Sequence, residues 1–199
     1  MQTKKILILL AVEEELGAEN ITALSATHTL RLMGVGKLRA YEATLRALRE
    51  ENYDVVINVG TCGSFRHPFA TVLRPKVVAQ GDVYIDAESV FYSEPEMLTT
   101  GNEGCRIASS DNFIGVDTPE TLRRLIEPYD CMDMESYAIV RAIRFHATQQ
   151  AKAMPEIHMI KVVSDGCDGT VDDWQTRIER LRPTLLAAAQ QLIEEINRE

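Results

Sequence analysis

Continuous apolar runs alternate along the chain with segments of helical periodicity. A run without polar alternation, such as residues 5–11, is typical of a strand buried on both faces. The predicted extended segments cover residues 5–11, 28–34, 53–60, 76–86, 104–114 and 156–166. Gly81 predicts a kink within the fourth of them. Strands that alternate with helices indicate βαβ units and a mainly parallel sheet.

Two segments carry the helical period most clearly. The first places Leu38, Tyr41, Leu45 and Leu48 at spacings of three and four residues. The second predicts a C-terminal helix, whose apolar face holds Trp174, Ile178, Leu181, Leu185, Leu192 and Ile196. Pro183 is expected to kink or split this helix. Residues 87–103 follow neither period and are interpreted as a surface loop. Without a repeat or linker, residues 1–199 are predicted to form a single α/β domain, with a mixed, mainly parallel central sheet flanked by helices.

The stretch CMDMESYAIV, residues 131–140, combines both patterns. Asp133 and Glu135 alternate with methionines at its start, and the apolar positions from Met134 onward then take the helical spacing. Two carboxylates therefore lie where an extended segment becomes a helix. A solvated helix N-terminus is one interpretation, because carboxylates are favourable there. The neighbouring methionines favour a drier environment.

Composition and charge exclude several classes of protein. The chain of 199 residues is 45% hydrophobic and 26% charged, which is typical of a globular protein. A net charge of -9 argues against a nucleic-acid surface, which requires a basic face. No segment resembles a membrane span. The four cysteines lack paired metal-ligand spacing and are interpreted as reduced core thiols of a cytoplasmic protein. Neither a metal nor a cofactor is predicted.

Several of the predicted apolar strands end in a cluster of polar residues. These clusters comprise Glu13 to Glu15, the glycine loop GTCGS of residues 60–64, SSD of residues 109–111 with Phe113 after it, and Ser164 with Asp165. Each group also has a local explanation as a helix start, a tight turn or a cap. Ligands of open α/β sheets bind outside the carboxyl ends of the strands. The coincidence of these groups at one edge therefore predicts a pocket rich in carboxylates and hydroxyls.

Six segments, taken in order, resemble the purine nucleoside phosphorylase and nucleosidase superfamily, particularly the 5'-methylthioadenosine/S-adenosylhomocysteine nucleosidases. ILLAVEEEL is similar to the opening strand and glutamate triplet of that family, and MGVGKLRAYEATLRAL to its G-x-G-K segment and following helix. INVGTCGS resembles the NTGSAG-type loop and SSDNFI the SGDAFI-type segment. DMESYAI is similar to the EMEAAAI-type helix start, and VVSDGCD to the ISDxAD-type strand end.

The resemblance implies a role for each matching residue. Glu15 would activate the attacking water as general base, and Asp165, beside Ser164, would donate a proton toward purine N7. Glu135 would accept hydrogen bonds from the two ribose hydroxyls, with Met134 against the sugar. The remaining positions are Phe113, which would stack on the base, Ile114, whose backbone would read the edge of the base, and Thr61, close to the water or anion.

Hydrolysis is favoured over phosphorolysis. Phosphorylases of this superfamily bind phosphate with arginines, since a guanidinium pairs bidentately with the anion. The first loop here reads AVEEELG, and Asn58 stands where a phosphorylase carries arginine before the glycine loop. Arg66 is the one candidate that could reach an anion.

The predicted activity is therefore hydrolysis of the N-ribosyl bond of a purine nucleoside, of the 5'-modified adenosine type. A phosphorylase, a futalosine hydrolase and a non-catalytic nucleoside-binding module remain as alternatives, and the 5'-substituent is left open. The resemblance, together with the loop aromatics Phe65, Phe69 and Phe91, predicts a homodimer. The predicted ligand is a small purine nucleoside.

Overall fold

The described part of the chain is built on one twisted, mixed sheet. The computed structural model describes residues 4–83, 96–97 and 104–198. Its strands are β1 Ile6–Leu10, β2 Thr29–Leu32, β3 Val55–Gly63, β4 Val72–Leu73, β5 Val77–Gln80, β6 Glu96–Met97, β7 Arg106–Ser109, β8 Cys131–Asp133 and β9 Glu156–Asp165. Its helices are α1 Ala18–Ser25, α2 Lys37–Glu50, α3 Glu120–Ile126, α4 Ser136–Gln150 and α5 Val171–Arg198, and Glu13–Glu15 form a 3-10 turn.

Strand β3 is the centre of the sheet. It pairs in parallel with β1 on one side and with β9 on the other. Beyond β1 lies β2, also parallel. The end of β3 pairs antiparallel with β8, which continues through parallel pairs to β7 and β5. The carboxyl ends of the parallel strands β1, β3 and β9 therefore lie at one edge, and the predicted fold class is confirmed.

Helices cover both faces of the sheet. Alternate residues of β1 enter different cores, with Leu7 and Leu9 packed toward the α2 and α4 side and Ile6, Ile8 and Leu10 toward α5. All five residues are buried, as the continuous apolar run predicts. The α5 side of the core is completed by Leu181, Leu185, Leu192 and Ile196.

Several predictions of elements are corrected. Helix α5 is continuous through Pro183, so the predicted split is wrong. Helix α2 buries Ala40, Thr44, Ala47 and Leu48. Leu38, whose side chain the apolar pattern groups with this face, is 80% exposed. Small residues form the contact because α2 packs closely on α4.

Helices α1 and α3 are not predicted by the pattern. Each is at most eight residues long and buries only one or two side chains, too few to produce a recognisable period. The loop predicted over residues 87–103 lies outside the described residues except for β6, which pairs antiparallel with β5. Phe91, expected at an interface, also lies outside them. In the two long described stretches, no helix is long and apolar enough for a transmembrane segment.

Candidate active site

A cavity of about 280 Å³ lies at the carboxyl edge of the sheet. Its volume is close to the lower limit of about 300 Å³ for small-molecule sites. All eight residues to which the family resemblance assigns a role line it: Glu15, Thr61, Phe113, Ile114, Met134, Glu135, Ser164 and Asp165. The resemblance assigns no role to the other lining residues, Ala11, Val12, Val35, Cys62, Gly63, Asn112, Met132, Asp133, Val171 and Trp174. The polar residues that follow separate strands therefore converge on one site.

Glu15 is buried and is held at one of its two carboxylate oxygens. Its Oε1 accepts hydrogen bonds from the backbone N–H of Thr61 at 2.6 Å and from the Thr61 hydroxyl at 2.9 Å. Its Oε2 is buried without a hydrogen-bond partner among the described residues. Burial raises the pKa of Glu15, while Lys161 and the bonds from Thr61 oppose this shift. The carboxyl is thus oriented by β3 and keeps one oxygen for a further partner.

Gly60 makes this approach of Glu15 to β3 possible. A Cβ atom at position 60 would lie 2.9 Å from Glu15 Oε1 and 3.4 Å from Oε2. Such contacts are too short for a side chain to fit without moving the carboxylate. The φ angle of Gly60 is not positive, so its backbone conformation does not require glycine. The close approach of the Glu15 carboxylate does.

Glu135 immediately precedes α4 and is buried, so the interpretation as a solvated helix start is wrong. Its Oε1 accepts a hydrogen bond of 2.9 Å from the backbone N–H of Gly36. Burial and the neighbouring Asp133 raise the pKa of Glu135 to about 8. A protonated carboxyl is consequently favoured at neutral pH.

Asp133 and Lys161 form a buried ion pair beneath the cavity. The Lys161 ammonium lies 2.7 Å from Asp133 Oδ2, and the two side chains are 2% and 3% exposed. Asp133 also accepts hydrogen bonds from the hydroxyls of Ser109 and Ser136 and from the Ser136 backbone N–H. Lys161 supplies the positive charge that offsets the carboxylates around it. No local pattern indicates this pairing, because its partners are 28 positions apart on different strands.

Asp165 follows an irregularity in the pairing of β3 with β9. The register shifts between Cys62 and Gly63, so that Gly63 pairs with Asp165 and Ser164 is the additional residue. Bulges of this kind redirect side chains beside functional sites. Asp165 Oδ1 accepts a hydrogen bond from the Cys167 backbone N–H at 2.9 Å, and Oδ2 accepts one from the Ser164 hydroxyl at 2.7 Å. Burial raises the pKa of Asp165, and these two bonds oppose the shift.

The loop that carries Phe113 and Ile114 is fixed by backbone contacts. A Cβ at Gly115 would lie 2.3 Å from the carbonyl oxygen of Gly169, so the loop packs directly on the segment after β9. The Arg123 guanidinium donates to the carbonyl oxygens of Gly115 and Cys167, at 3.0 and 3.3 Å. This arrangement keeps Phe113 half-buried at the cavity, beside Asp165.

A second polar cluster holds the loop that contacts Glu135. Lys37 forms an ion pair with Asp82 and donates its backbone N–H to Asp111 Oδ1 at 2.7 Å. Asp82 in turn accepts a 2.7 Å bond from the Asp111 backbone N–H. The glycine segment before α2 is thereby tied to the ends of β5 and β7.

Trp174 is a lining residue that the sequence placed on the core face of a helix. Its indole N–H donates to the Thr61 hydroxyl at 3.1 Å. In the sequence, only its position in the first turns of α5, shortly after Asp165, could have indicated that Trp174 lines the site. The contact itself joins residues 113 positions apart.

Two residues with expected interface or anion roles lie elsewhere. Arg66 is half-exposed beside Asp130, at 4.0 Å, and does not line the cavity. Phe65 packs partly buried against the core under the Arg123 guanidinium, so it is not an exposed aromatic, whereas Phe69 is 41% exposed. All four cysteines are free thiols, and three are buried. The described residues contain no cluster of three or more His, Cys, Asp or Glu that could hold a metal ion.

Comparison with solved structures identifies the fold. A 5'-methylthioadenosine/S-adenosylhomocysteine nucleosidase of Helicobacter pylori matches 98% of this chain over 100% of its own, with 16% identity and a TM-score of 0.73. The corresponding nucleosidase of Neisseria meningitidis matches 98% of this chain over 100% of its own, with 20% identity and a TM-score of 0.69. A futalosine hydrolase of Helicobacter pylori matches 97% of this chain over 98% of its own, with 16% identity and a TM-score of 0.73. No protein-family model and no curated protein matches the chain.

These matches place the chain in a structural class. It has the fold of these nucleosidases over 97–98% of its length. The resemblance of the six sequence segments predicts this fold, and the matches confirm it. At 16–20% identity, this likeness establishes the fold and leaves the activity to be argued from the site.

Proposed function

We propose that this protein hydrolyses the N-ribosyl bond of a purine nucleoside, and that the nucleoside is a 5'-modified adenosine. The observation that carries the proposal is the state of Glu15: one oxygen is anchored by Thr61, and the other is buried without a partner among the described residues. A buried, unpartnered acceptor beside a cavity is costly unless a ligand or water satisfies it. A general base for an attacking water requires this arrangement.

Asp165 supplies the opposite half of the reaction. Cleavage of the bond develops positive charge on the ribose and negative charge on the departing purine. Asp165 would transfer a proton to purine N7, so that the purine leaves neutral, while Glu15 removes a proton from the water that bonds to C1' of ribose. The raised pKa of Asp165 supports this role, because a general acid must carry its proton near the working pH. Two carboxyl groups divide the same tasks in glycoside hydrolysis.

The two carboxyl groups are related by glycines on one strand. Glu15 lies against Gly60, and a Cβ at Gly63 would lie 3.2 Å from Asp165 Oδ1. Both carboxyl groups line the same cavity, so the proposed acid and base can act on one bound nucleoside.

Glu135 and Met134 are proposed to hold the ribose. A carboxylate accepts hydrogen bonds at both oxygens, which suits the vicinal 2'- and 3'-hydroxyls. The bond from Gly36 already fixes the orientation of Glu135. The pKa near 8 implies that binding of the diol favours release of the proton from this carboxyl. Phe113 would stack on the purine and Ile114 would contact its edge.

The electrostatics of the cavity favour water over phosphate as the nucleophile. None of its described lining residues is an arginine or a lysine. Lys161, beneath the cavity, forms an ion pair with Asp133. The ionised Glu15 that a general base requires would repel a dianion. A non-catalytic binding module would need the ribose contacts, but it would have no need of the unpartnered Glu15.

The identity of the 5'-substituent is the part of the proposal with two candidates. The futalosine hydrolase matches with the same TM-score as one of the methylthioadenosine nucleosidases, and another neighbour is an Asp-to-Asn mutant with 5'-methylthioadenosine in its active site. Purine release should therefore be measured from methylthioadenosine, S-adenosylhomocysteine, futalosine and inosine, with and without phosphate. Phosphate-independent release with free sugar as product supports the hydrolase. A strict requirement for phosphate would contradict it.

Asp165→Asn is the sharpest variant for this test. Asn can keep the bond from Cys167 at Oδ1, and its Nδ2 can donate to Ser164 Oγ, which lies 3.2 Å from the Cys62 carbonyl and can donate there instead. The site should thus keep its shape but lose the transferable proton. We expect kcat to fall by about 10²-fold or more, with KM nearly unchanged. A melting temperature near that of the wild type serves as the control, and near-normal kcat would refute the role.

A further inference from the structure

Trp174 is the only tryptophan of the chain, and it contacts the candidate base through one intermediate group. It lies half-buried at the start of α5 and lines the cavity. Its indole N–H donates to Thr61 Oγ1 at 3.1 Å, and that hydroxyl lies 2.9 Å from Glu15 Oε1. A continuous chain of hydrogen bonds therefore joins Trp174, Thr61 and Glu15.

The direction of this chain follows from chemistry. An indole N–H can only donate, whereas a hydroxyl has one hydrogen and two acceptor lone pairs. Because Trp174 occupies a lone pair of Thr61, the hydroxyl hydrogen points to Glu15 Oε1. The Thr61 backbone N–H donates to the same oxygen at 2.6 Å. Two donors thus hold Oε1, and Oε2 is left for another partner.

We propose that Trp174 is a positioning residue that, by orienting the Thr61 hydroxyl, fixes which oxygen of Glu15 is anchored and which one is left free for a further partner. The assignment of Glu15 as the base rests on the proposed function, whereas the hydrogen-bond relay does not. Linked hydrogen bonds polarise one another, so the indole strengthens the bond from Thr61 to the carboxylate. This effect opposes the rise in the pKa of Glu15 that burial causes.

Other charged groups act on Glu15 from different elements. Lys161 on β9 favours its charged form, and the buried carboxyls of Asp133 on β8 and Glu135 at the start of α4 share Lys161 with it. None of these groups is altered in the variants used to test the relay, apart from Glu15 itself. A wall residue that only excluded water would act on Glu15 without involving the Thr61 hydroxyl, so the two roles give different results.

The first experiment needs no catalysis. Emission from the single tryptophan is recorded against pH in the ligand-free protein. We expect a transition that is absent in Glu15→Gln and moves to higher pH in Thr61→Val, because loss of a donor to a carboxylate raises its pKa. Thr71→Val, which removes a hydroxyl bonded to the Pro68 carbonyl outside the cavity, should leave the transition unchanged. An identical transition in wild type and Glu15→Gln would overturn the relay.

The second experiment is a double-mutant cycle on purine release. Trp174→Phe keeps an aromatic ring and removes the donor, so kcat should fall by about fivefold, the effect of one hydrogen bond, with little change in KM. The acid limb of the pH profile of kcat/KM should move to higher pH. In the Thr61→Val background, Trp174→Phe should cause no further loss, whereas additive losses would overturn the proposal. If the wild type releases no purine, the proposed function fails, and the emission experiment still decides the relay.

Discussion

Replacement of Lys161 by Met tests the electrostatic foundation of the site. The Lys161 ammonium lies 2.7 Å from Asp133 Oδ2, and the side chains are 2% and 3% exposed. Burial alone lowers the pKa of Lys161, but the carboxylates of Asp133, Glu135 and Glu15 outweigh burial and raise it. The residue is therefore charged in the folded protein. Met retains the unbranched apolar chain and deletes only the charge.

The loss of stability in Lys161→Met depends on which hydrogen bonds to Asp133 remain. Removal of one member of a buried pair typically destabilises a protein by about 3–5 kcal/mol, since a buried charge is left uncompensated. The hydroxyls of Ser109 and Ser136 and the Ser136 backbone N–H would still donate to Asp133. These donors place the expected loss at the lower end of that range, about 3 kcal/mol.

Urea unfolding followed by circular dichroism measures this loss. With a slope of about 2 kcal/mol per molar urea, the midpoint should fall by about 1.5 M. The matched control is Lys4→Met, which breaks a partly exposed pair with Glu156 of 3.3 Å and should cost at most about 1 kcal/mol. Adding Asp133→Asn to Lys161→Met should recover much of the stability. A change for Lys161→Met no larger than that of the control would refute the reasoning.

Three further outcomes are expected. The pKa of Glu135 is raised from 4.5 to about 8, so the folded state retains a proton that the unfolded state releases. The free energy of unfolding should therefore fall as pH rises from 5 to 8. Glu135→Gln should flatten this pH dependence in thermal melts. Gly60→Ala must displace the Glu15 carboxylate, so kcat should fall by about 10²-fold, and unchanged kcat would contradict the packing argument. The chain should form a homodimer of twice 22.3 kDa by light scattering, and Phe145→Ser, at a 45% exposed aromatic on α4, should weaken it; a wild-type monomer at micromolar concentration would contradict this.

The sequence by itself determined the sheet and the position of the site along the chain. The apolar run that forms β1 and the carboxylates that follow β1 and β9 are local patterns, and such patterns are readable without knowledge of contacts. Because parallel strands deliver their carboxyl ends to one edge, the polar residues after them could be expected to meet there. The family resemblance selected eight residues from these segments, and all eight line the cavity.

Tertiary structure decided how those residues are held. The pair of Lys161 with Asp133 and the bond from Trp174 to Thr61 join residues 28 and 113 positions apart, and no local period encodes either contact. The extra residue Ser164 in the β3 and β9 pairing is set by the register of two strands, which a single strand cannot reveal. Side-chain partners across a fold depend on the distance between elements after packing, and the chain acquires that distance only when its apolar faces close on one another.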